Sequence, residues 1–251
     1  MTDDFTDCAA FPPPFHLRIL ESAGSTNDEV RALAQAGAPD GLVLLALHQT
    51  TGRGRRGAPW FSQPATSLAF SILVRPPQPK PLWPRLALAA GLAVAEAVEA
   101  SGATAGIKWP NDVWIRQRKV AGILVEAGAD FAIVGIGLNV NTREFPAEVA
   151  DIATSLRLET QQDHPRPDVL AAIIRRFALR RTQIGANFED LLDAVRQRCV
   201  LTGHQIALTT AHGPKQGLME GIAPGGELLL RTATGLERLI QADEIRIFQA
   251  E

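Results

Sequence analysis

Hydrophobic positions recur at two spacings along this chain, and the switches between them predict its elements. Phe15 to Leu20 reads as a short strand. Behind it, Thr26 with Glu29 three residues on has the spacing of a capping box, which predicts a helix running to about Ala36 before Gly37 stops it. Gly41 to Leu47 is almost continuously apolar, the pattern of a strand covered on both faces. Thr66 to Val74 instead alternates, with Leu68, Phe70, Ile72 and Val74 on one side and Ser67 and Ser71 on the other, as a half-buried strand does. Pro76 to Pro81 is a stiff connector. From Pro84 to Ala100, Ala and Leu crowd every face, predicting a helix central to the core in which Gly91 permits close packing.

The strand pattern then returns. Ile107 opens a strand that leads through Lys108-Trp109-Pro110-Asn111-Asp112 and continues in Val113-Trp114-Ile115. Arg116-Gln117-Arg118 turns the chain, Lys119 to Glu126 returns antiparallel, and Phe131 to Asn141 makes the next strand. Such a meander predicts an α+β fold with a mixed, largely antiparallel sheet packed with helices, rather than a doubly wound one. Thr142 to Pro167 is long, polar and weakly periodic, the profile of a lid. Asp168 to Ile184 and Phe188 to Arg198 read as amphipathic helices, with Leu170, Ile173, Ile174 and Phe177 on the inner face of the first. After Gly203, short strands alternate with glycine turns, which predicts a small C-terminal β-barrel. The organisation expected is a flexible segment 1–14, a main domain 15–200 and a small companion domain 201–251.

Composition narrows the class. With 251 residues, 46% of them hydrophobic, the chain is long enough for a sizeable core, and a formal net charge of −2 gives it no general attraction to nucleic acid or anionic lipid. Cys8 and Cys199 are far apart and the five histidines are scattered, so neither a disulfide framework nor a protein-built metal site is predicted. The N-terminus lacks the basic and apolar regions of a signal peptide, and the apolar run Leu86 to Val98 is too short to span a bilayer, so a cytoplasmic protein is expected.

Against that near-neutral background one stretch concentrates cations: Gly52-Arg53-Gly54-Arg55-Arg56-Gly57, with Gln49 before it and Trp60 after it, between two predicted strands. Glycine lets a backbone approach a ligand closely, and each guanidinium offers a rigid fork of donors for carboxylate or phosphate; a solvated Arg/Gly loop has the same composition. Lys119 begins an apolar strand, either poised at a site or lying in solvent at a hairpin end. Ser25 and Thr26 fit helix capping and ligand binding alike. Asn111 and Asp112 lie in a second polar stretch beside the apolar sheet. Chemistry that uses this set is activation of a carboxylate by a nucleotide. Two anions must then reach attacking distance, although unit charges ~4 Å apart repel by ~4 kcal/mol at an effective dielectric of ~20, so cations must offset the repulsion. Gly135-x-Gly137 is followed by neither a third glycine nor a helix and is no dinucleotide fingerprint.

Taken in order, Gln49-x-x-Gly52-Arg53-Gly54-Arg55-Arg56-Gly57 with Trp60, Lys108-Trp109-Pro110-Asn111-Asp112, Lys119-x-Ala121-Gly122-Ile123-Leu124-x-Glu126 and Gly135-x-Gly137-x-Asn139 resemble the motifs of the biotin protein ligases. The resemblance runs from about Phe15 to the C-terminus. It implies a catalytic domain of the class II synthetase-like, biotin/lipoate ligase type with an SH3-like barrel behind it. It also implies an enzyme that joins biotin and ATP, with Mg²⁺, into biotinyl-5′-adenylate and passes the biotin to a lysine of a biotin carboxyl carrier domain, as a monomer or homodimer. By the same resemblance Ser25, Thr26, Gln49, Gly52, Arg53, Lys119 and Gly122 bind biotin, and Lys119 with Arg53 is catalytic. Arg55, Arg56, Trp60, Asn111, Asp112 and Asn139 serve ATP or the adenylate, with Asp112 on the Mg²⁺ side. The arginine loop is expected to be mobile without ligand and ordered with adenylate; the motifs do not assign an adenine-stacking partner, and the lid is the place to look for it. With only a short lead before Ser25, the DNA-binding domain of the family's repressor members is not expected. Asp243-Glu244-Ile245 departs from the frequent Gly-Glu-Val, and Trp114 stands where the family often has an aromatic or Tyr. Lipoate ligases resemble this fold too, but lack the arginine loop.

Overall fold

A computed structural model describes Phe5 and residues 11–248. In chain order its elements are β1 (His16–Ala23), α1 (Thr26–Gln35), β2 (Leu42–Gln49), β3 (Ser67–Val74), α2 (Arg85–Ala100), β4 (Gly106–Lys108), β5 (Asp112–Ile115), β6 (Arg118–Ala127) and β7 (Ala132–Asn139). There follow α3 (Leu156–Thr160), α4 (Arg166–Arg180), α5 (Phe188–Arg198), β8 (Gln205–Thr210), β9 (Gly213–Ile222), β10 (Leu228–Thr232), β11 (Gly235–Leu239) and β12 (Asp243–Ile247). The first sheet has the order β1-β2-β3-β7-β6-β5-β4 and the second β11-β10-β9-β8-β12. Only β1 and β2 run parallel, joined by the helical crossover α1 that a parallel pair requires. The remaining ladders are antiparallel, so the α+β class and the C-terminal β unit form as the strand pattern predicts. The outer strands of the second sheet, β11 and β12, are not paired to one another.

Alternation along β2 explains its unbroken apolar run. Leu42 and Leu44 pack with Val30 and Ala34 of α1 on one face. Val43 and Leu45 join the main core on the other, with α2, α4 and α5, and this core continues through Leu201 into Ile206, Met219 and Leu230 of the second sheet. β3 departs from the half-buried strand predicted: every residue of it is buried, because it is central in the sheet and α1 covers the face that carries Ser71. The Ser71 hydroxyl is tolerated there because it hydrogen-bonds Thr26 and Asn27.

Three further expectations change. Counted from Lys80, the segment containing α2 is long and apolar enough to cross a membrane by length and composition, more than Leu86 to Val98 suggests; most of it is buried inside the protein instead. A Cβ added at Gly91 would meet nothing within 4 Å, so that glycine does not serve close packing. Val113 to Ile115 does not continue the strand of Ile107: β4 and β5 form a hairpin, with Lys108 opposite Asp112, because Trp109-Pro110-Asn111 turns the chain back.

The stretch expected to be a lid is packed. Thr142, Thr154, Ser155 and His164 are buried. Ser155 caps α3 by accepting from the Leu158 N–H, and Asn141 exchanges two hydrogen bonds with the His164 backbone. Residues 1–4 and 6–10, most of the expected flexible opening and including Cys8, lie outside the described residues. Phe5 is buried, with the Arg166 guanidinium 5.3 Å from its ring centre.

Candidate active site

The cleft lies where the first sheet lacks side chains. Gly122 on β6 is paired with Gly137 on β7, and Gly135 is two residues earlier on the same face. A Cβ at Gly137 would come 2.3 Å from the Trp60 ring, and one at Gly135 would come 2.3 Å from Asn27 Oδ1. Glycine weakens a strand interior, but here it clears the floor on which Trp60 and Asn27 rest.

At one end stands the start of α1. Ser25 is its N-cap and makes no capping bond through its side chain, so the capping box expected at Thr26 does not form. Gln49, ending β2 beside the helix, takes the role: its Oε1 accepts from the Thr26 N–H at 3.0 Å and lies 3.2 Å from the Thr26 hydroxyl. Ser71 Oγ is 2.7 Å from Thr26 Oγ1 and 2.6 Å from Asn27 Oδ1, while Asn27 Nδ2 donates to Glu126 Oε2 at 2.6 Å. This chain of polar contacts locks the carbonyl of Gln49 and leaves its NH₂, with the Ser25 hydroxyl, available along the cleft wall.

At the other end Lys119 is held by its backbone. Its N–H donates to Ile152 O at 2.7 Å and its carbonyl accepts from Thr154 N–H at 2.9 Å, so the expected lid is a buttress for the start of β6. Lys119 Nζ lies 2.8 Å from Asp112 Oδ1 and 5.6 Å from the Trp60 ring centre. Asp112 Oδ1 is buried, with this ion pair in place of a hydrogen bond. With 34% of its side chain exposed, Lys119 is neither a solvent hairpin lysine nor sealed off. Across the hairpin, burial pushes the Lys108 pKa below its usual value, an effect Asp112 opposes.

Among the described residues no three His, Cys, Asp or Glu side chains are grouped to hold a metal ion. Asp112, with its orphaned oxygen, fits a single protein ligand to an Mg²⁺ carried on nucleotide phosphates.

The arginine loop is a self-bonded turn, with Trp60 N–H donating to Gly52 O at 2.9 Å and Gly54 N–H to Ala58 O at 2.6 Å. Arg53 grips both oxygens of Asp28, and that hydrogen bonding holds the Asp28 carboxyl below the usual range. Arg55 lines the cleft mouth and donates from Nη1 to Ala242 O at 2.9 Å. Arg56 turns to the second sheet, 2.8 Å from Asp243.

Of the residues singled out in the sequence, Ser25, Thr26, Gln49, Arg53, Arg55, Trp60, Asn111, Lys119 and Gly122 line one cleft. Gly52 stands against it, since a Cβ there would come 2.5 Å from the Gln49 amide nitrogen, and Asp112 joins through Lys119. Arg56 and Asn139 are not brought in. Asn139 is buried and donates to Thr154 O at 3.1 Å, so it secures the buttress rather than facing a nucleotide. No residue of 142–167 lines the cleft or the wider recess that meets it at Arg55 and Asn111, beside Trp83 and Trp109. Asn27, Ser71 and Glu126 had been given no role. Their signal was polarity inside otherwise apolar strands and one residue past a cap.

An α+β protein whose cleft joins an amide-and-hydroxyl pocket to a lysine and arginine mouth suits a small molecule with a polar head and an acidic end. The profile of the Biotin/lipoate A/B protein ligase family matches residues 20–141. The biotin protein ligase of Aquifex aeolicus, solved in complex with biotin and ATP, superposes with a TM-score of 0.83 at 32% identity, covering 94% of this chain and 99% of that one. The bifunctional ligase/repressor BirA of Bacillus spizizenii is 35% identical over 237 residues, 91% of this chain and 73% of the relative. The biotin–acetyl-CoA-carboxylase ligase of Mycobacterium tuberculosis is 36% identical over 221 residues, 85% and 82% of the two chains. The chain belongs to the biotin protein ligase family.

Proposed function

We propose that this chain condenses biotin with ATP to biotinyl-5′-adenylate, releasing pyrophosphate, and then transfers the biotinyl group to a lysine of a biotin carboxyl carrier domain. The observation that carries this reading is the continuity of one cleft from Gln49 and Ser25, past the glycine floor under Trp60, to Lys119. A ureido ring is neutral and carries both N–H donors and a carbonyl acceptor, which the Ser25 hydroxyl and the Gln49 NH₂ complement, with Thr26 holding Gln49 in place. The apolar tail of biotin runs past the Trp60 ring that rests on Gly122 and Gly137, and its carboxylate meets Lys119.

Lys119 neutralises that carboxylate so that one of its oxygens can bond to the α-phosphorus while the bond to the pyrophosphate oxygen breaks. It then faces the carbonyl and bridging oxygen of the mixed anhydride. In the second step a neutral lysine amine of the carrier attacks the carbonyl carbon, AMP leaves with the bridging oxygen, and the amine's surplus proton passes to solvent. Arg55 and Asn111, at the junction with the wider recess, serve the nucleotide. Asp112 would hold an Mg²⁺, which neutralises phosphate charge when bound. Arg53, tied to Asp28, shapes the wall. In this reading residues 15–200 form the catalytic domain and 201–251 its small companion.

The test is incubation of the protein with biotin, MgATP and a carrier domain, with mass spectrometry of the carrier. A biotinyl adduct on one lysine is expected. An adduct with lipoate and none with biotin would move the chain to lipoate chemistry, and no adduct with either would sink the proposal.

A further inference from the structure

Arg55 and Arg56 reach out of the first sheet's loop to a single carboxylate of the second. Asp243, the first residue of β12, is 12% exposed in its side chain and divides its oxygens between them, Oδ1 at 3.0 Å from Arg55 Nη2 and Oδ2 at 2.8 Å from Arg56 Nη2. Arg55 adds its hydrogen bond to the neighbouring Ala242 carbonyl. Arg56 takes φ 53, a left-handed conformation disfavoured for a residue with a side chain, and Gly57 follows at φ 76. None of Arg55, Arg56 and Gly57 is buried, so the turn's own hydrogen bonds and these ionic contacts, rather than packing, hold its backbone. The Arg55 guanidinium thus belongs at once to the cleft mouth and to the C-terminal sheet.

We propose that Asp243 is a positioning residue that latches the arginine loop onto the second sheet and so pre-orders Arg55 for the nucleotide. The inference rests on the reading of Arg55 as part of the nucleotide site. Without the latch, the loop is charged, glycine-rich and strained at Arg56, and the nucleotide itself has to order it, which weakens binding. Coupling of this kind is reciprocal: displacing β12 weakens ATP binding, and bound ATP steadies β12.

Asp243→Asn keeps the shape and removes the charge, and Arg56→Gln cuts the latch from the other side without altering a group that lines the cleft. Two measurements apply: hydrogen exchange of amides 52–58 in the ligand-free protein, and KM for ATP against kcat in biotin-dependent pyrophosphate exchange. In both variants the loop amides are expected to exchange about tenfold faster, and KM for ATP to rise roughly five- to twentyfold, while kcat and KM for biotin stay within about twofold. The double variant should be no worse than the worse single one. Unchanged loop protection in Asp243→Asn, an unchanged KM for ATP, or additive losses would overturn the latch. The exchange comparison needs no catalysis, so a chain inactive on biotin would sink the proposed function and still leave the latch to be judged.

Discussion

Lys119→Ala isolates the electrostatics of the proposed biotin site. Of the three cations lining the cleft, Arg53 is committed to Asp28 and Arg55 to Ala242 and Asp243, while Lys119 has, among the described residues, the one ion pair with Asp112, 2.8 Å away. Its loss removes one charge-assisted bond to the biotin carboxylate, worth roughly 1.5–3 kcal/mol. It also strips Asp112 of its counter-ion. A carboxylate placed beyond the missing ammonium stands roughly 5–6 Å from Asp112, where two unit charges repel by roughly 3 kcal/mol at an effective dielectric of ~20. Together the two effects predict that biotin binding weakens about 10³-fold or more. Titration calorimetry of biotin alone, without nucleotide or Mg²⁺, reads this directly. The double variant Lys119→Ala/Asp112→Asn removes the repulsion and should bind biotin about 100-fold better than the single one. Thermal stability should change little, because the backbone of Lys119 is held by Ile152 and Thr154 whatever its side chain. A loss under threefold, or a double variant no better than the single, would refute the assignment of the carboxylate to Lys119.

Gly137→Ala places a Cβ where the Trp60 ring lies; indole emission should shift to the red and biotin affinity fall by about tenfold or more, and unchanged emission would mean that Trp60 does not rest on that floor. His164 carries a pKa pulled below its usual 6.5, chiefly by burial and against the pull of Asp163. Below that pH the unfolded chain takes up a proton that the folded one resists, so stability present above pH 6.5 is lost as pH falls through it. The melting temperature should therefore drop more steeply on acidification in the wild type than in His164→Gln, and parallel curves would contradict this. Gly91→Ala should stabilise the protein by about 0.5–1 kcal/mol in urea titration, since the Cβ meets open space and helix propensity improves; a destabilised variant would show that the helix needs the glycine.

Much of the site was legible because its members are clustered in sequence. The arginine loop, Gln49, Lys119 and Gly122 lie in short motifs whose composition declares anion binding and close approach, and the cleft gathers them. Asn139 was assigned by its motif alone, and a motif does not say which way a strand residue points. Ser71 read as the solvent side of a half-buried strand because alternation reports polarity, not what covers the polar face; α1 covers it.

The sequence by itself determined the elements, the α+β class and the chemical character of the loops, because periodicity, turn residues and charge are properties of neighbours along the chain. Tertiary structure alone decided how those loops are used. It set Gln49 rather than Thr26 to satisfy the start of α1, turned a predicted lid into the support of Lys119, and brought Asp243 to Arg55 and Arg56. Each of these depends on the register of distant strands, and pairing partners far apart in sequence leave no local periodicity to read.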